Sequence, residues 1–314
     1  MNNPSDSYQF DLTGPIVPIL SAFDDNDRLD IDAVCGWVDS LIARGIRLFW
    51  TTYGTTHFMC LTDDEVMELT RRVSEVTRGR AGFIASTAYH WHPDVEIKFC
   101  ETCAEWGVDA VKIQNEWKTW PPSADQMMGY YQRLNEASPL PLIAYTYGSP
   151  GISVDTLRRI LDLPRFIGMK NDTGDFYEQN WYQRTVREHA GRPFAVMTGG
   201  TLESTMHTWH FGARTYASGL AVFAPSPVLR FQQHLEAGDY VAAAQIVSEL
   251  EHPVFGYMQR MGPFSHWGGC HTALFLQGVF PSARLRYPLR NFNQDQTNEV
   301  RKLLDKYDLL GVFK

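Results

Sequence analysis

Positive charge is scarce in this chain, and so are long apolar stretches. Its 28 lysine and arginine residues are outnumbered by 36 aspartate and glutamate residues, which leaves a net charge of −8. That balance excludes the basic surface on which nucleic-acid binding and electrostatic membrane attachment depend. No apolar run approaches the roughly 18 residues of a membrane-spanning helix, and the polar N-terminus does not resemble a signal peptide. We therefore expect a cytoplasmic protein.

Cysteines are few and irregularly spaced. Their number, five, is odd, which argues against a disulfide framework. Cys100 and Cys103 form a C-x-x-C pair, but no second pair follows, and the run from Val95 to Trp106 has helical character. We expect neither a zinc site nor a redox centre at this pair.

Apolar residues make up 44% of the 314 positions, which is enough for a sizeable core. Short apolar runs alternate with segments of helical periodicity, the pattern of successive β and α units. The glycine-rich turn of a dinucleotide-binding fold is missing after the first run, which argues against a doubly wound open sheet. We predict an α/β fold, a (β/α)8 TIM barrel. The eight predicted strands are residues 16–20, 48–52, 83–87, 110–114, 141–145, 166–170, 195–198 and 215–219.

The helical segments carry their own start signals, and helices alone follow the last predicted strand. Thr62 precedes a periodic segment with Glu65 three residues later, which is the pattern of a capping box. Strand signals stop after Pro227, so we predict that a C-terminal helical extension packs on the barrel. The predicted division is an N-terminal arm over residues 1–13, a barrel over 14–227 and a helical region over 228–314.

Lys170 stands at the carboxyl end of the sixth predicted strand, followed by a polar loop over residues 171–175. Burial disfavours the ammonium form of a lysine, and a neutral amine can attack a ketone to give a Schiff base. The alternative is a strand-end lysine whose alkyl stem lets the charge reach solvent. This segment by itself favours neither interpretation.

The carboxyl ends of the other predicted strands test a barrel, because chemistry in that fold sits at this end. After the second strand, Gly54, Thr55 and Thr56 offer backbone N–H groups and hydroxyls that suit a carboxylate. The same residues also fit an ordinary turn whose hydroxyls cap the next helix. Tyr145 ends the fifth strand and is the phenol best placed to face Lys170, although it also fits a core aromatic.

These segments together are similar to the dihydrodipicolinate synthase and N-acetylneuraminate lyase family. The similarity spans residues 14–310 and lies in the order and spacing of four motifs. For the fold, the resemblance implies a (β/α)8 barrel with a C-terminal helical domain, usually in a tetramer. For the chemistry, it implies a lysine Schiff base with pyruvate or another 2-oxo acid, and no metal or organic cofactor. The motifs are Tyr53-Gly54-Thr55-Thr56, Tyr145 at a strand end, residues 168–175 around Lys170, and Gly278 with Arg286-Tyr287-Pro288-Leu289.

The resemblance also implies a role for individual residues. Lys170 matches the Schiff-base lysine, and Tyr145 matches the tyrosine that moves protons to and from the substrate. Thr55 and Thr56 match the pair that holds the 2-oxo acid carboxylate. Two further matches are Gly199, which lines the site in the family, and Tyr216, whose backbone carbonyl would face the substrate.

Departures from the family pattern bear on the second substrate. In the family a Gly-Glu pair follows the two threonines, and here His57 and Phe58 stand in its place. Trp117 stands where the synthases of the family have a relay tyrosine. Those synthases also have an arginine shortly after the tyrosine that matches Tyr145, and here that segment contains Ser149 and no arginine. Tryptophan has only an N–H donor and cannot relay a proton. These four positions are therefore specificity candidates, and dihydrodipicolinate synthesis itself is not favoured. The prediction is a class I lyase or aldolase on pyruvate or a 2-oxo-3-deoxy acid.

Other interpretations stay open at this point. The tryptophan resembles that of the hydratase-aldolase branch, which cleaves aromatic benzylidenepyruvates, and a catalytically weak relative that only binds a 2-oxo acid is also possible. His90 and His92, with Asp172 and Asp175, suggest a metal hydrolase, although Pro93 argues for a loop. Lys112 is a rival for the Schiff base, but it lies mid-strand, so we expect it to point outward toward the helices or to form an ion pair.

Overall fold

The fold is an α/β arrangement built on one parallel sheet. The structure, a computed structural model, describes residues 10–87, 92–114, 122–147, 151–262 and 265–313. In these residues seven strands pair in chain order, and every pairing is parallel. The strands are β1 Ile16–Pro18, β2 Leu48–Trp50, β3 Gly82–Ala85, β4 Ala110–Lys112, β5 Leu142–Tyr147, β6 Phe166–Asp172 and β7 Ala195–Thr198.

The prediction of an eighth strand over residues 215–219 is wrong, although this segment lies at the position in the sheet where the strand was expected. Tyr216 forms a single bridge to Thr198 of β7, and Ala217 forms a single bridge to Ile16 of β1. The pairing stops there because the chain enters a tight turn at Leu220–Val222. The segment nevertheless joins the two outer strands of the sheet by backbone hydrogen bonds, from Ile16 N to Tyr216 O at 2.7 Å and from Ala217 N to Thr198 O at 3.0 Å.

The segments between the strands form helices because each has apolar residues at helical spacing and most begin with a polar capping residue. The predicted capping box at Thr62 is present, with reciprocal bonds to Glu65, and Ser123 forms a second box with Gln126. The helices between the strands pack their apolar faces onto the sheet. They are α1 Ile31–Ala43, α2 Asp63–Thr77, α3 Pro93–Trp106, α4 Ala124–Ala137, α5 Val154–Leu161, α6 Phe176–His189 and α7 Leu202–Trp209.

Helices make up most of the described residues after residue 224. A π-helical segment, Val247–Gly256, continues α9 and contains Pro253, which cannot donate a backbone hydrogen bond. Among the residues described, no helix combines the length and the apolar character needed to cross a lipid bilayer. These helices are α8 Pro225–Glu236, α9 Tyr240–Ile246, α10 Ser265–Leu276 and α11 Gln294–Lys306.

Two apolar layers lie on opposite faces of the sheet. One layer fills the space between strands and helices, and it contains Phe49 of β2. The other lies on the inner face and contains Trp50, together with Ile16, Leu48, Ile84, Ala110, Ile143, Met197 and Ala217. Since side chains alternate along a strand, this second layer identifies which residues of each strand point inward.

Candidate active site

Strand alternation brings four large polar or aromatic side chains to the inner face of the sheet. Lys112 lies two residues after Ala110, and Tyr145 lies two after Ile143, so both point inward with the apolar layer. Lys170 pairs with Tyr145 in the register of β5 and β6, and with Met197 in that of β6 and β7. Trp50 completes the group from β2. The site therefore lies at the carboxyl ends of the strands.

Lys170 stands between the strand layer and an open cavity. Its side chain is 11% exposed, and its nitrogen lies 5.0 Å from the Trp50 ring centroid and 5.3 Å from that of Tyr145. The same nitrogen contacts a carboxylate oxygen of Asp172 in an ion pair. Only the neutral form of an amine attacks a ketone, so a group that touches this nitrogen is placed to exchange a proton with it.

The expectation that Lys112 points outward toward the helices is wrong, because its side chain lies on the inner face of the sheet. Its side chain is fully buried, and its nitrogen donates a hydrogen bond of 2.6 Å to Gln114 Oε1. The nitrogen also lies 5.2 Å from the ring centroids of both Trp50 and Tyr145. Burial above all, and then the charge of Lys170, holds the pKa of Lys112 well below its ordinary value of 10.5. The inner face thus holds two amines, of which Lys170 alone lines the cavity described next.

A cavity of about 440 Å³ opens at the carboxyl ends of the strands. This volume is ample for a three-carbon keto acid and leaves room for a longer chain. Its wall combines apolar rings with hydroxyl, amide and imidazole groups. Lining residues include Trp50, Thr55, Lys170, Asp172, Thr198, Gly199, Ser204, Phe255, Gln259, His266 and Trp267.

The threonine turn after β2 is held by its own hydroxyls. The Thr52 N–H donates to Thr56 Oγ1 at 2.8 Å, and the Thr55 N–H donates to Thr52 Oγ1 at 3.0 Å. Thr55 lines the cavity, whereas Thr56 is fully buried beneath it, and its carbonyl accepts a bond from Ser21 Oγ at 2.5 Å. The turn therefore combines both sequence-based interpretations, since its hydroxyls brace the loop while Thr55 faces the cavity.

Gly199 lies beside the carboxylate of Asp172. A β-carbon built on Gly199 would be 2.2 Å from Asp172 Oδ1, far inside van der Waals contact. The missing side chain therefore leaves the space that Asp172 occupies against Lys170. Asp172 itself belongs to β6, which runs two residues beyond the predicted end of that strand.

The model of the Dihydrodipicolinate synthetase family matches residues 11–307 of the chain. The chain belongs to this family. The resemblance expected from the four motifs is thereby confirmed over nearly the whole sequence.

Curated relatives include dehydratases and synthases. The chain is 28% identical over 296 residues to a probable 5-dehydro-4-deoxyglucarate dehydratase of Streptomyces avermitilis, covering 93% of this chain and 87% of that protein. It is 27% identical over 236 residues to the 4-hydroxy-tetrahydrodipicolinate synthase of Oenococcus oeni, covering 74% of this chain and 78% of that protein. The relatives thus share a family but differ in the reaction that their names describe.

Solved structures of the family have the same fold. The dihydrodipicolinate synthase of Oceanobacillus iheyensis superposes with a TM-score of 0.83 at 21% identity, covering 93% of this chain and 96% of that one. The enzyme of Bacteroides thetaiotaomicron superposes with a TM-score of 0.84 at 20% identity, covering 98% of this chain and all of the other. These similarities establish the fold and do not identify the substrate.

The remaining residues that the family resemblance singled out lie in different places. The carbonyl of Tyr216 accepts the Ile16 N–H, and the Tyr216 ring packs edge-on against Phe231, so its predicted contact with substrate stays a prediction. Phe58 is 2% exposed and belongs to the apolar layer outside the sheet. Trp117 and Ser149 lie outside the described residues.

His57 is buried behind the threonine turn in a left-handed backbone conformation, with φ of 62°. Its ring centroid lies 5.1 Å from that of His271 and 5.2 Å from that of Trp267, both on α10. Burial first, and then the charges of His271 and His266, lowers the pKa of His57 well below 6.5. His57 therefore links the turn to the C-terminal helices instead of lining the cavity.

Several residues of the cavity wall were not predicted from the sequence, because no local pattern marks them as part of a site. Gln259, His266 and Trp267 come from the C-terminal helical region, about a hundred residues after Lys170 in the chain, and close one side of the cavity. Asp172 was considered only as a metal ligand.

In the part of the chain that the structure describes, no group of three or more histidine, cysteine or acidic residues is arranged to hold a metal ion. His90, the first residue of the suggested metal motif, lies outside the described residues.

Proposed function

We propose that the protein is a class I lyase or aldolase that forms a Schiff base between Lys170 and a 2-oxo acid. The observation that carries this proposal is the position of Lys170, which lines the cavity while its nitrogen lies 5.3 Å from the Tyr145 ring centroid. An amine that lines a partly enclosed cavity and has a phenol ring beside it is equipped for imine chemistry. The names of the curated relatives, dehydratases and synthases, support a reaction in the lyase class.

The proposed roles follow the family resemblance residue by residue. Lys170 adds to the keto carbon, and Tyr145 moves protons while the carbinolamine forms and loses water. Thr55 and Thr56 hold the carboxylate of the 2-oxo acid, and Gly199 lines the site. The protonated imine then withdraws electrons, so that a bond one carbon away breaks or forms through an enamine. We propose that a complete (β/α)8 barrel with a C-terminal helical extension carries this site.

The proposed substrate is pyruvate or a 2-oxo-3-deoxy acid. Ser204, Gln259 and His266 line the cavity and can hydrogen-bond the hydroxyls of a sugar-acid chain. The name of the Streptomyces avermitilis relative, a 5-dehydro-4-deoxyglucarate dehydratase, supports a hydroxylated acid. A second candidate is a hydratase-aldolase on aromatic benzylidenepyruvates, which the rings of Trp50, Phe255 and Trp267 in the cavity wall favour.

Reductive trapping tests the proposal. Borohydride added with pyruvate is expected to fix a covalent adduct that peptide mass mapping assigns to Lys170, and Lys170→Ala is expected to abolish it. Absence of any adduct on the wild-type protein would support the catalytically weak binding relative instead. Loss of activity on chelation would favour a metal enzyme.

Two further experiments address the substrate class and the oligomeric state. Pyruvate release from 2-oxo-3-deoxy sugar acids, compared with release from benzylidenepyruvates, distinguishes the two substrate classes. We also propose a cytoplasmic homotetramer by analogy with the family, and light scattering of the purified protein tests the tetramer.

A further inference from the structure

We infer that Asp172 is a further catalytic residue, which takes the proton from Lys170 before imine formation and returns it to the departing hydroxyl. This inference rests on the proposed Schiff-base function and adds an acid–base group to it. Tyr145 is the proton carrier that the family resemblance implies. Asp172 differs from it in touching the reacting nitrogen directly.

The position of Asp172 follows from the length of β6. That strand ends at Asp172, and alternation places Asp172 on the same face as Lys170, two residues earlier. One carboxylate oxygen contacts the Lys170 nitrogen, and the side chain is 19% exposed where it lines the cavity. A keto acid bound at Lys170 therefore meets this carboxylate.

The neighbouring strand leaves room for the carboxylate. The other oxygen of Asp172 occupies the space where a side chain on Gly199 would be, at 2.2 Å from its β-carbon. A larger residue at position 199 would push Asp172 away from Lys170. The Asp172–Lys170 contact thus depends on two strands, β6 and β7, and does not result from a freely rotating surface pair.

Other charged groups nearby have different partners. Asp175 turns its carboxylate to the backbone N–H groups of Tyr177 and Glu178, where it caps α6. Lys112 donates to Gln114 and is fully buried away from the cavity. Asp172 is therefore the carboxylate of the described residues that is in place to accept the Lys170 proton.

The proposed proton transfers balance without an outside reagent. One proton passes from the Lys170 ammonium to Asp172, which leaves a neutral amine and a neutral carboxylic acid. The amine forms a C–N bond with the keto carbon, the C=O π electrons move to oxygen, and that oxygen receives a proton from the nitrogen through the Tyr145 hydroxyl. Asp172 then protonates the hydroxyl, the C–O bond breaks, and water leaves. A protonated imine remains beside the ionised Asp172.

Rapid mixing with pyruvate, followed by quenching into borohydride at timed intervals, measures the rate of imine formation on the full chain. For Asp172→Asn we expect that rate to fall about 100-fold or more, the lower end of general acid–base effects. The adduct should still map to Lys170, and half-saturation by pyruvate should stay within about threefold of wild type. Asp175→Asn, which keeps a capping side chain and also removes one negative charge, serves as the matched control and should form the imine at the wild-type rate.

A second variant separates acid–base catalysis from mere support of Lys170. Asp172→Ala leaves a space for a small carboxylate, and added formate should accelerate imine formation in this variant. A wild-type rate in Asp172→Asn, or an Asp172→Ala variant that formate does not accelerate, would overturn the inference. If the wild-type protein itself forms no adduct on Lys170, the proposed function fails instead, so the two failures are distinguishable.

Discussion

At the scale of single residues, two lysines on the same inner face have different access to substrate. Lys170 lines the cavity, whereas Lys112 is fully enclosed between Trp50, Tyr145 and Gln114. Each is an amine that could form a Schiff base when neutral. Burial lowers the pKa of Lys112 well below its ordinary value, but only Lys170 lines the cavity, so access to substrate selects Lys170.

Two matched substitutions test this selection. Lys170→Met is expected to lose the pyruvate adduct completely, while Lys112→Met should still form an adduct on Lys170. The buried amine of Lys112 donates to Gln114 and is costly to charge, so its replacement by an apolar side chain of similar length should change the free energy of unfolding by no more than about 1.5 kcal/mol. Peptide mass mapping and urea unfolding measure the two effects. An adduct that disappears in Lys112→Met would contradict the selection by access.

Gly199 provides a second residue-scale prediction. In Gly199→Ala the added methyl group would lie 2.2 Å from Asp172 Oδ1, so the carboxylate must move. Under the proposed mechanism, imine formation should slow to a similar degree as in Asp172→Asn, measured by the same timed trapping.

The control for Gly199→Ala is Gly129→Ala in α4. This glycine has no atom within 4 Å of a built β-carbon, and alanine in a helix interior is favourable. The control is expected to trap pyruvate at the wild-type rate and to gain about 0.5 to 1 kcal/mol in stability. Unimpaired imine formation in Gly199→Ala would argue against the steric account.

At the scale of elements, Arg286 ties the chain before α11 to the loops around β1 and α2. Its guanidinium donates to both carboxylate oxygens of Glu65 at 2.8 and 2.9 Å, to Cys60 O at 2.8 Å and to Asp27 O at 2.9 Å. It also lies 4.7 Å from the Phe23 ring centroid. A planar donor with several fixed partners holds segments together in a way that a flexible lysine does not.

Arg286→Met should therefore destabilise the protein by about 2 kcal/mol at pH 7, because several acceptors lose a partly buried partner. Hydrogen bonding to Arg286, above all, lowers the pKa of Glu65 below its ordinary value of 4.5. A depressed carboxyl pKa contributes stability above 4.5, and that contribution is lost as the pH falls through the lowered value. The gap between wild type and variant should thus narrow below about pH 4.5, as followed by urea unfolding. Arg290→Met, at an exposed arginine, is the control and should change little.

At the scale of the whole molecule, the turn after β2 and the C-terminal helix α10 bring two buried histidines together. His271 on α10 is fully buried beside His57, and burial lowers its pKa to about 3. The folded protein therefore binds a proton on His271 only at very low pH, while the unfolded chain binds one near 6.5. Stability from this group is complete above about pH 6.5 and is lost as the pH falls toward 3.

His271→Gln should remove this acid sensitivity. Between pH 6 and 4, the wild-type free energy of unfolding should fall relative to that of the variant by about 1 kcal/mol per pH unit, close to the limit for one proton. Urea unfolding at pH 6.5, 5.5 and 4.5 measures the difference. Glu251, whose pKa burial raises to about 7, has the opposite sign in this window, so the comparison is made between variants and not from the wild-type slope.

The exposed His189 supplies the control at this scale. His189→Gln should change the free energy of unfolding by no more than about 0.5 kcal/mol, because this side chain is exposed. Parallel curves for wild type and His271→Gln would contradict the assignment of acid sensitivity to the buried imidazole.

Local patterns were sufficient to predict seven of the eight β units and the capping box at Thr62. They also identified Lys170 and Tyr145 as neighbours across adjacent strands. Lys112 was misjudged because its orientation depends on which residues of β4 face inward, and only the pairing of β4 with its neighbours decides that. Asp172 was assigned to a loop because its polar neighbours conceal the last two residues of β6.

Neighbouring residues were enough to predict the α/β alternation, the family and the candidate Schiff-base lysine, because apolar periodicity, caps and motif order are local properties. Tertiary structure alone decided that Asp172 contacts Lys170 beside a glycine of the next strand, that Lys112 is enclosed, and that Gln259, His266 and Trp267 close the cavity. Lys170 and Asp172 are only two residues apart, but their position beside Gly199 and the other contacts join segments that lie far apart in the chain. They therefore depend on sheet register and helix packing, which no local pattern encodes.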